Sequence, residues 1–201
     1  MANKPLNTDL LDRAIVFAVR AHSGTERRGK GYPYIVHPME AVEIVATMTA
    51  DQELLAAAAL HDTVEDTDVT VEQIREEFGD RIADLVAAET DILPAEAADG
   101  KADAAGNDEA STWHARKRAA IDRLAGASRD AKIVALGDKL SNMRAIARDY
   151  AVEGDDFWNL FHVKDPASHA WHYRGLLESL RELEGSPAFN EFETLVKQVF
   201  G

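Results

Sequence analysis

The run His61-Asp62-Thr63-Val64-Glu65-Asp66 places one imidazole and three carboxylates at the end of an Ala- and Leu-rich stretch, Asp51 to His61. That stretch is nearly apolar on every side, as expected of a buried central helix. Charge beside a buried helix is costly unless something compensates it, and a divalent cation would do so. Successive helical residues point about 100° apart, so His61 and Asp62 reach one ion only near the helix end. Glu65 and Asp66 follow one turn after Asp62, where they could hold and deprotonate a water without being ligands. The competing reading is a solvated helix end with an Asp cap.

Two further segments carry the same kind of chemistry. In Tyr32-Pro33-Tyr34-Ile35-Val36-His37-Pro38, His37 precedes a proline, which biases it toward extended backbone just before a helix. In Gly137-Asp138-Lys139-Leu140-Ser141-Asn142-Met143-Arg144, Asp138 and Asn142 are four apart and share a helix face with apolar neighbours. A carboxylate there wants a metal ion or a cationic partner; a surface pair with Lys139 or Arg144 is the plain alternative. His37, His61, Asp62 and Asp138 together offer two nitrogen and two oxygen donors. Such a set suits Mn, Fe, Zn, Co or Ni better than Ca or Mg.

The elements that must position these groups read almost entirely as helix. Leu11, Ile15, Ala18, Val19 and His22 recur at helical spacing after a possible Thr8 cap. A second helix is expected to begin at Pro38, and Thr70 with Gln73 matches a capping box ahead of a helix stopped at Gly79. Helices are further expected over 80–88, 112–124, 131–150, 165–183 and 187–200, and residues 94–110, rich in Ala, Asp, Glu and Gly, read as a mobile acidic loop. Ile35 and Val36 form at most one extended pair. The expectation is a single all-α domain over 1–201, a bundle of about eight to ten helices, with a helical C-terminal extension from about 151.

Composition narrows the function classes. The chain has 201 residues, a net charge of −14 and no cysteine. Without cysteine there is no disulfide scaffold, thiol nucleophile or Cys-type zinc site. The acidic balance disfavours nucleic-acid polymers as partners. No apolar run approaches the roughly 18 residues of a membrane span, and the polar Met1–Thr8 segment has no signal-peptide core. A soluble, cytoplasmic protein is expected.

The ordered spread of a His, then His-Asp, then a distant Asp resembles the HD-domain metal-dependent phosphohydrolases. His22, Arg27, Arg28, Pro33-Tyr34-Ile35, His37-Pro38, His61 to Thr67, Phe78-Gly79, Thr90-Asp91 and Asp138 to Arg144 narrow it: together they are similar to the hydrolase domain of RelA/SpoT proteins and its free-standing form, the small alarmone hydrolase. The similarity spans roughly Leu11 to Tyr150, and no synthetase domain is expected after it. The resemblance implies an all-helical enzyme with one Mn²⁺ that removes the 3′-pyrophosphate of guanosine tetra- or pentaphosphate, a small nucleotide substrate. It implies His37, His61, Asp62 and Asp138 as metal ligands and Glu65 and Asp66 as the pair that activates the attacking water. It also implies Arg27, Arg28 and Asn142 as substrate-binding residues. The loop from His22 to Pro33 is about one residue longer than the family pattern. Related nucleotides, namely adenosine alarmones, NADPH or deoxynucleotides, and a non-catalytic nucleotide sensor are the alternative readings. The aromatic and histidine-rich segment 157–183 lies outside the motifs; it reads as core aromatics with surface histidines, or as a wall of the substrate pocket.

Overall fold

A computed structural model describes residues 7–27, 29–90 and 109–201, and in them the fold class is all-α, as the periodicity predicts. The expected acidic loop falls almost wholly on 91–108, outside the described residues, as does Arg28.

The core is organised around two helices. Helix α3 (Gln52–Leu60) is short and almost entirely Ala and Leu; every residue from Leu54 to Leu60 is buried. Its N-terminus is fixed by the Asp51 side chain, which accepts from the Glu53 amide at 2.9 Å. With small side chains at four successive positions, neighbouring helices come close on several sides at once: α1 (Asp9–Ala21), α2 (Val36–Ala46) and α6 (Asp80–Glu89) all pack on it. Between α3 and α6 lie the one-turn α4 (Thr63–Asp66) and α5 (Val71–Phe78), whose Thr70/Gln73 capping box forms as expected, with Gly79 at φ +92° in the turn to α6.

After α7 (Glu109–Ala125) comes the second organising element, the 25-residue α8 (Arg129–Glu153), buried along most of Ala131 to Ala147. It packs on α2 and on the C-terminal α10 (Pro187–Phe200), while α9 (Pro166–Ser179) packs on α7. Close approach of α2 to α8 depends on Gly137, where a Cβ would lie 2.7 Å from Val45 Cγ2 and 3.0 Å from the Ala41 carbonyl oxygen. Two 3₁₀ turns, Gly154–Leu160 and Arg181–Leu183, complete the described helical elements, the second ending what the sequence suggested as one helix over 165–183.

Three local expectations are corrected. Helix α2 starts at Val36 rather than at Pro38, so His37 lies in its first turn and not on extended backbone. First-turn amides lack intrahelical partners in any case, so Pro38 loses nothing by having none. For the same reason Ile35 and Val36 are not an extended pair; the isolated β-bridge joins Glu26 to Pro33 and closes the loop that carries Arg27. Thr8 does not cap α1 with its side chain and instead donates to Asp12 at 2.9 Å.

Candidate functional site

His61, the residue that caps the C-terminus of α3, is 2% exposed, and its Nδ1 lies 2.9 Å from the Ala58 carbonyl oxygen. A carbonyl only accepts, so Nδ1 carries the proton and Nε2 is left to face inward. There it meets His37 Nε2 at 3.3 Å, Asp62 Oδ2 at 3.0 Å and Asp138 Oδ1 at 3.6 Å. His37 Nε2 is 3.3 Å from Asp62 Oδ2 and 3.0 Å from Asp138 Oδ1. The four side chains come from α2, the α3–α4 junction and α8, and each carboxylate lies against both imidazoles.

The spacing of His37, His61 and Asp138, whose donor atoms all lie within 4.8 Å of one another, fits a single metal ion. With bonds of about 2.0–2.2 Å, adjacent donors around a tetrahedral or octahedral ion stand about 2.8–3.6 Å apart. The separations among His37, His61 and Asp138, and those from Asp62 to the two imidazoles, fall in that interval. Two imidazoles and two carboxylates form a mixed nitrogen–oxygen set, as transition-metal ions prefer. The electrostatics of the cluster agree. Burial opposes ionisation of Asp62, but His61 and His37 outweigh it and hold the carboxyl well below the usual carboxylate range. Burial also opposes charge on Asp138, which Lys139 and the two imidazoles nevertheless keep ionised. Burial lowers the proton affinity of His61 while Asp62 and Asp138 raise it, and the carboxylates win. The cluster thus attracts positive charge at the convergence point, which a proton or a cation can supply.

Further groups surround the cluster, and Lys139, Glu89 and Tyr34 among them were not legible as site residues. Lys139, offered by the sequence as a plain surface partner of Asp138, does donate to Asp138 Oδ2 at 2.5 Å, and also to Glu89 Oε2 at 3.1 Å, with the Glu89 side chain only 6% exposed. Burial raises the Glu89 pKa despite the nearby lysine, and the two carboxylates hold the Lys139 ammonium charged against its own burial. Tyr34 donates its hydroxyl to Asp62 Oδ2 at 2.7 Å and stacks on the buried His22. Asn142 donates to Asp138 Oδ1 at 2.5 Å and accepts from Arg27 Nη2 at 2.6 Å. Arg27 and Asn142, both expected to bind substrate, are therefore linked to each other and to the carboxylate of Asp138.

The cluster forms one side of a cavity of about 500 Å³. Arg27, Glu65, Asp66 and Asn142 line it, so those four expected residues share one space with the donor cluster. Its far wall comes from α7 and α9, through Lys117, Arg123, His172 and Tyr173 among others. The segment 157–183 therefore splits between the two roles read for it. Trp158 and His169 are buried and stacked on each other, while His172 and Tyr173 reach the cavity. Burial, helped by Lys117 and Lys139, pushes the His172 pKa down to about 3, so it is a neutral imidazole at neutral pH. Among the described residues no helix is long and apolar enough to cross a membrane.

Comparison with known proteins places this geometry in a family. A guanosine-3′,5′-bis(diphosphate) 3′-pyrophosphohydrolase of Aquifex aeolicus is 42% identical over 92 residues, 46% of this chain and 13% of that protein. A GTP pyrophosphokinase rsh of Brucella ovis is 36% identical over 143 residues, 70% of this chain and 17% of that protein. The chain thus spans less than a fifth of the length of these curated relatives. The solved structure of a metazoan orthologue of SpoT, described as hydrolysing ppGpp, superposes with a TM-score of 0.73 at 22% identity, over 97% of this chain and 98% of that one. A Listeria monocytogenes protein superposes at 0.67 with 27% identity, over 86% of this chain and all of that one. Residues 14–164 match the HD domain, and the chain belongs to that family.

Proposed function

We propose that the protein is a metal-dependent phosphohydrolase that removes the 3′-pyrophosphate from guanosine tetra- or pentaphosphate, with Mn²⁺ as its metal. The observation that carries this reading is the packing of both imidazoles, His37 and His61, at 3.0–3.6 Å from the carboxylates of Asp62 and Asp138, beside a cavity that Glu65, Asp66, Arg27 and Asn142 also line. The similarity to relatives named for 3′-pyrophosphohydrolase and GTP pyrophosphokinase activities supports the substrate class.

Each group has a role in this reading. His37, His61, Asp62 and Asp138 hold the ion. A divalent ion at such a site acidifies water and neutralises charge on phosphoryl oxygens. Glu65 and Asp66, at the cavity edge and one turn beyond Asp62, hold the attacking water and accept its proton. The water oxygen bonds to the phosphorus attached to the ribose 3′ oxygen, that P–O bond breaks, and the ribose oxygen leaves with the proton that the acidic pair took from the water. Arg27 presents a fork of donors suited to phosphate, and its tie to Asn142 aims it into the cavity. Tyr34 orients the Asp62 carboxylate by donating to it.

The test is product analysis with the Mn²⁺-loaded protein and a panel of 3′-pyrophosphorylated guanosine and adenosine nucleotides plus NADPH. The reading expects guanosine substrates to give the 5′-phosphorylated nucleoside and inorganic pyrophosphate. Preference for NADPH with release of orthophosphate would replace this substrate assignment by another of the same chemical class.

A further inference from the structure

The four-donor cluster works only if both imidazoles present a bare Nε2 to it. The Ala58 carbonyl settles this for His61, but His37 has no carbonyl behind it. Its Nδ1 lies 2.8 Å from the Ser141 hydroxyl oxygen, and a hydroxyl can either donate or accept. The direction is set one step further out. Ser141 has a single hydroxyl proton, and Glu40 Oε2 lies 2.7 Å from Oγ. A carboxylate only accepts, so the proton goes to Glu40. The Ser141 oxygen must then accept from His37, which places the imidazole proton on Nδ1 and leaves Nε2 bare.

Both ends of this chain are built into the helices that carry ligands. Glu40 lies three residues after His37 on α2, and Ser141 lies three residues after Asp138 on α8, so each is one turn from a donor and on its side of the helix. His37 is 3% exposed and Ser141 1% exposed, so water does not compete for the bond between them. The other Glu40 oxygen faces Arg144 Nη1 at 3.3 Å, and Arg144 is itself gripped by Glu191 of α10 through two bonds of 2.7 and 2.8 Å. Glu191 lies beyond the HD-domain match, which ends at residue 164. The C-terminal helix is thus tied, through Arg144, Glu40 and Ser141, to the orientation of one imidazole in the site.

We propose that Ser141 and Glu40 are positioning residues that lock His37 in its Nδ1–H tautomer and aim its Nε2 into the donor cluster, with Arg144 and Glu191 holding Glu40 in place. The proposal rests on the reading of His37 as a metal ligand. Groups that orient a ligating histidine typically carry 10–100-fold in metal affinity.

The experiment measures Mn²⁺ dissociation constants by electron paramagnetic resonance on the full chain, for wild type, Ser141→Ala, Glu40→Gln and His37→Ala. Glu40→Gln keeps the shape of the side chain but supplies an amide that can donate to Ser141, so it tests direction rather than packing. Expected is a 10–100-fold weaker dissociation constant in Ser141→Ala and Glu40→Gln, with near-wild-type melting temperatures in the absence of metal. ¹⁵N-histidine spectra of the metal-free proteins in alkaline buffer should show a protonated Nδ1 at His37 in wild type and a mixture of tautomers in both variants. Unchanged affinity in both variants overturns the proposal, and so does weakened affinity with the wild-type tautomer, since the residues would then act through packing alone. His37→Ala separates the two levels. If it leaves affinity unchanged, the ligand reading itself fails; if it abolishes binding while the two variants bind normally, only the positioning role fails.

Discussion

Replacing Gly137 by alanine tests the link between packing and site. In an exposed helix the change would stabilise the protein by about 1 kcal/mol, because glycine is the poorer helix former. Here the structure demands the opposite. The new Cβ would stand 2.7 Å from Val45 Cγ2 and 3.0 Å from the Ala41 carbonyl oxygen, and a backbone carbonyl cannot rotate away. Helix α2 must therefore retreat from α8 by several tenths of an ångström. Overpacking of this kind costs about 1–3 kcal/mol, and the backbone clash puts Gly137→Ala in the upper part of that range. Set against the propensity gain, the net loss is about 1–2 kcal/mol, or roughly 2–8 °C of melting temperature at this chain length. The retreat also separates His37 on α2 from Asp138 on α8, so Mn²⁺ affinity should fall with stability. Differential scanning calorimetry and metal titration on one preparation read both effects. Gly126→Ala is the control, since a Cβ there meets its nearest neighbour at an ordinary 3.8 Å. A Gly137→Ala protein as stable as wild type, with unchanged metal affinity, would refute the claimed close approach of the two helices.

Glu65→Ala and Asp66→Ala should keep one metal per chain and the wild-type melting temperature while kcat falls about 10²–10⁴-fold, as loss of general-base help predicts; normal turnover in both would return these residues to a solvated helix end. In EDTA-treated protein, Asp62 and Asp138 contribute stability that is present above the unfolded carboxylate value of about 4 and is lost as pH falls toward their depressed folded values. His61 contributes stability that is full below about 6.5 and is lost as pH rises through its raised folded value. The cluster's contribution is therefore greatest between about pH 4 and 6.5, and Mn²⁺ should extend it upward by replacing the proton; a cluster contribution that grows between pH 6 and 8 without metal contradicts this. His172 has the opposite sign on the acid side. Its pKa of about 3 means the unfolded chain takes up a proton that the fold refuses, so stability falls as pH drops from about 6.5 toward 3. His172→Gln should flatten that part of the melting profile.

The grouping of His61, Asp62 and Asp138 was legible because each sits in a local pattern. His61-Asp62 ends an apolar helix, and Asp138 interrupts another, so chemistry stands out against burial within a few residues. The acidic pair Glu65-Asp66 and the capping box at Thr70 and Gln73 could be read on the same local scale. What escaped was decided by tertiary contacts. Glu89 follows an ordinary amphipathic stretch, and nothing in that stretch signals a lysine arriving from α8. Ser141 and Glu40 are 101 residues apart and gain meaning only when α2 lies against α8. Arg144 was offered as a surface partner of Asp138, but its partner is Glu191, from a helix outside the motif region. The start of α2 was misplaced for a different reason. Proline before the fourth helical position is compatible with several helix starts, and α2 begins two residues ahead of Pro38, at Val36.

On the proposed function, one divalent ion in the His37, His61, Asp62 and Asp138 cluster is required for release of pyrophosphate from a 3′-pyrophosphorylated guanosine nucleotide. The most direct test of this requirement titrates Mn²⁺ into EDTA-stripped protein while bound metal and released pyrophosphate are measured together, for wild type and Asp138→Asn. The account predicts that turnover rises with metal and saturates at one ion per chain in wild type, and that Asp138→Asn loses metal and turnover together. Undiminished pyrophosphate release from the stripped protein, or full turnover in an Asp138→Asn protein that binds no metal, would contradict it.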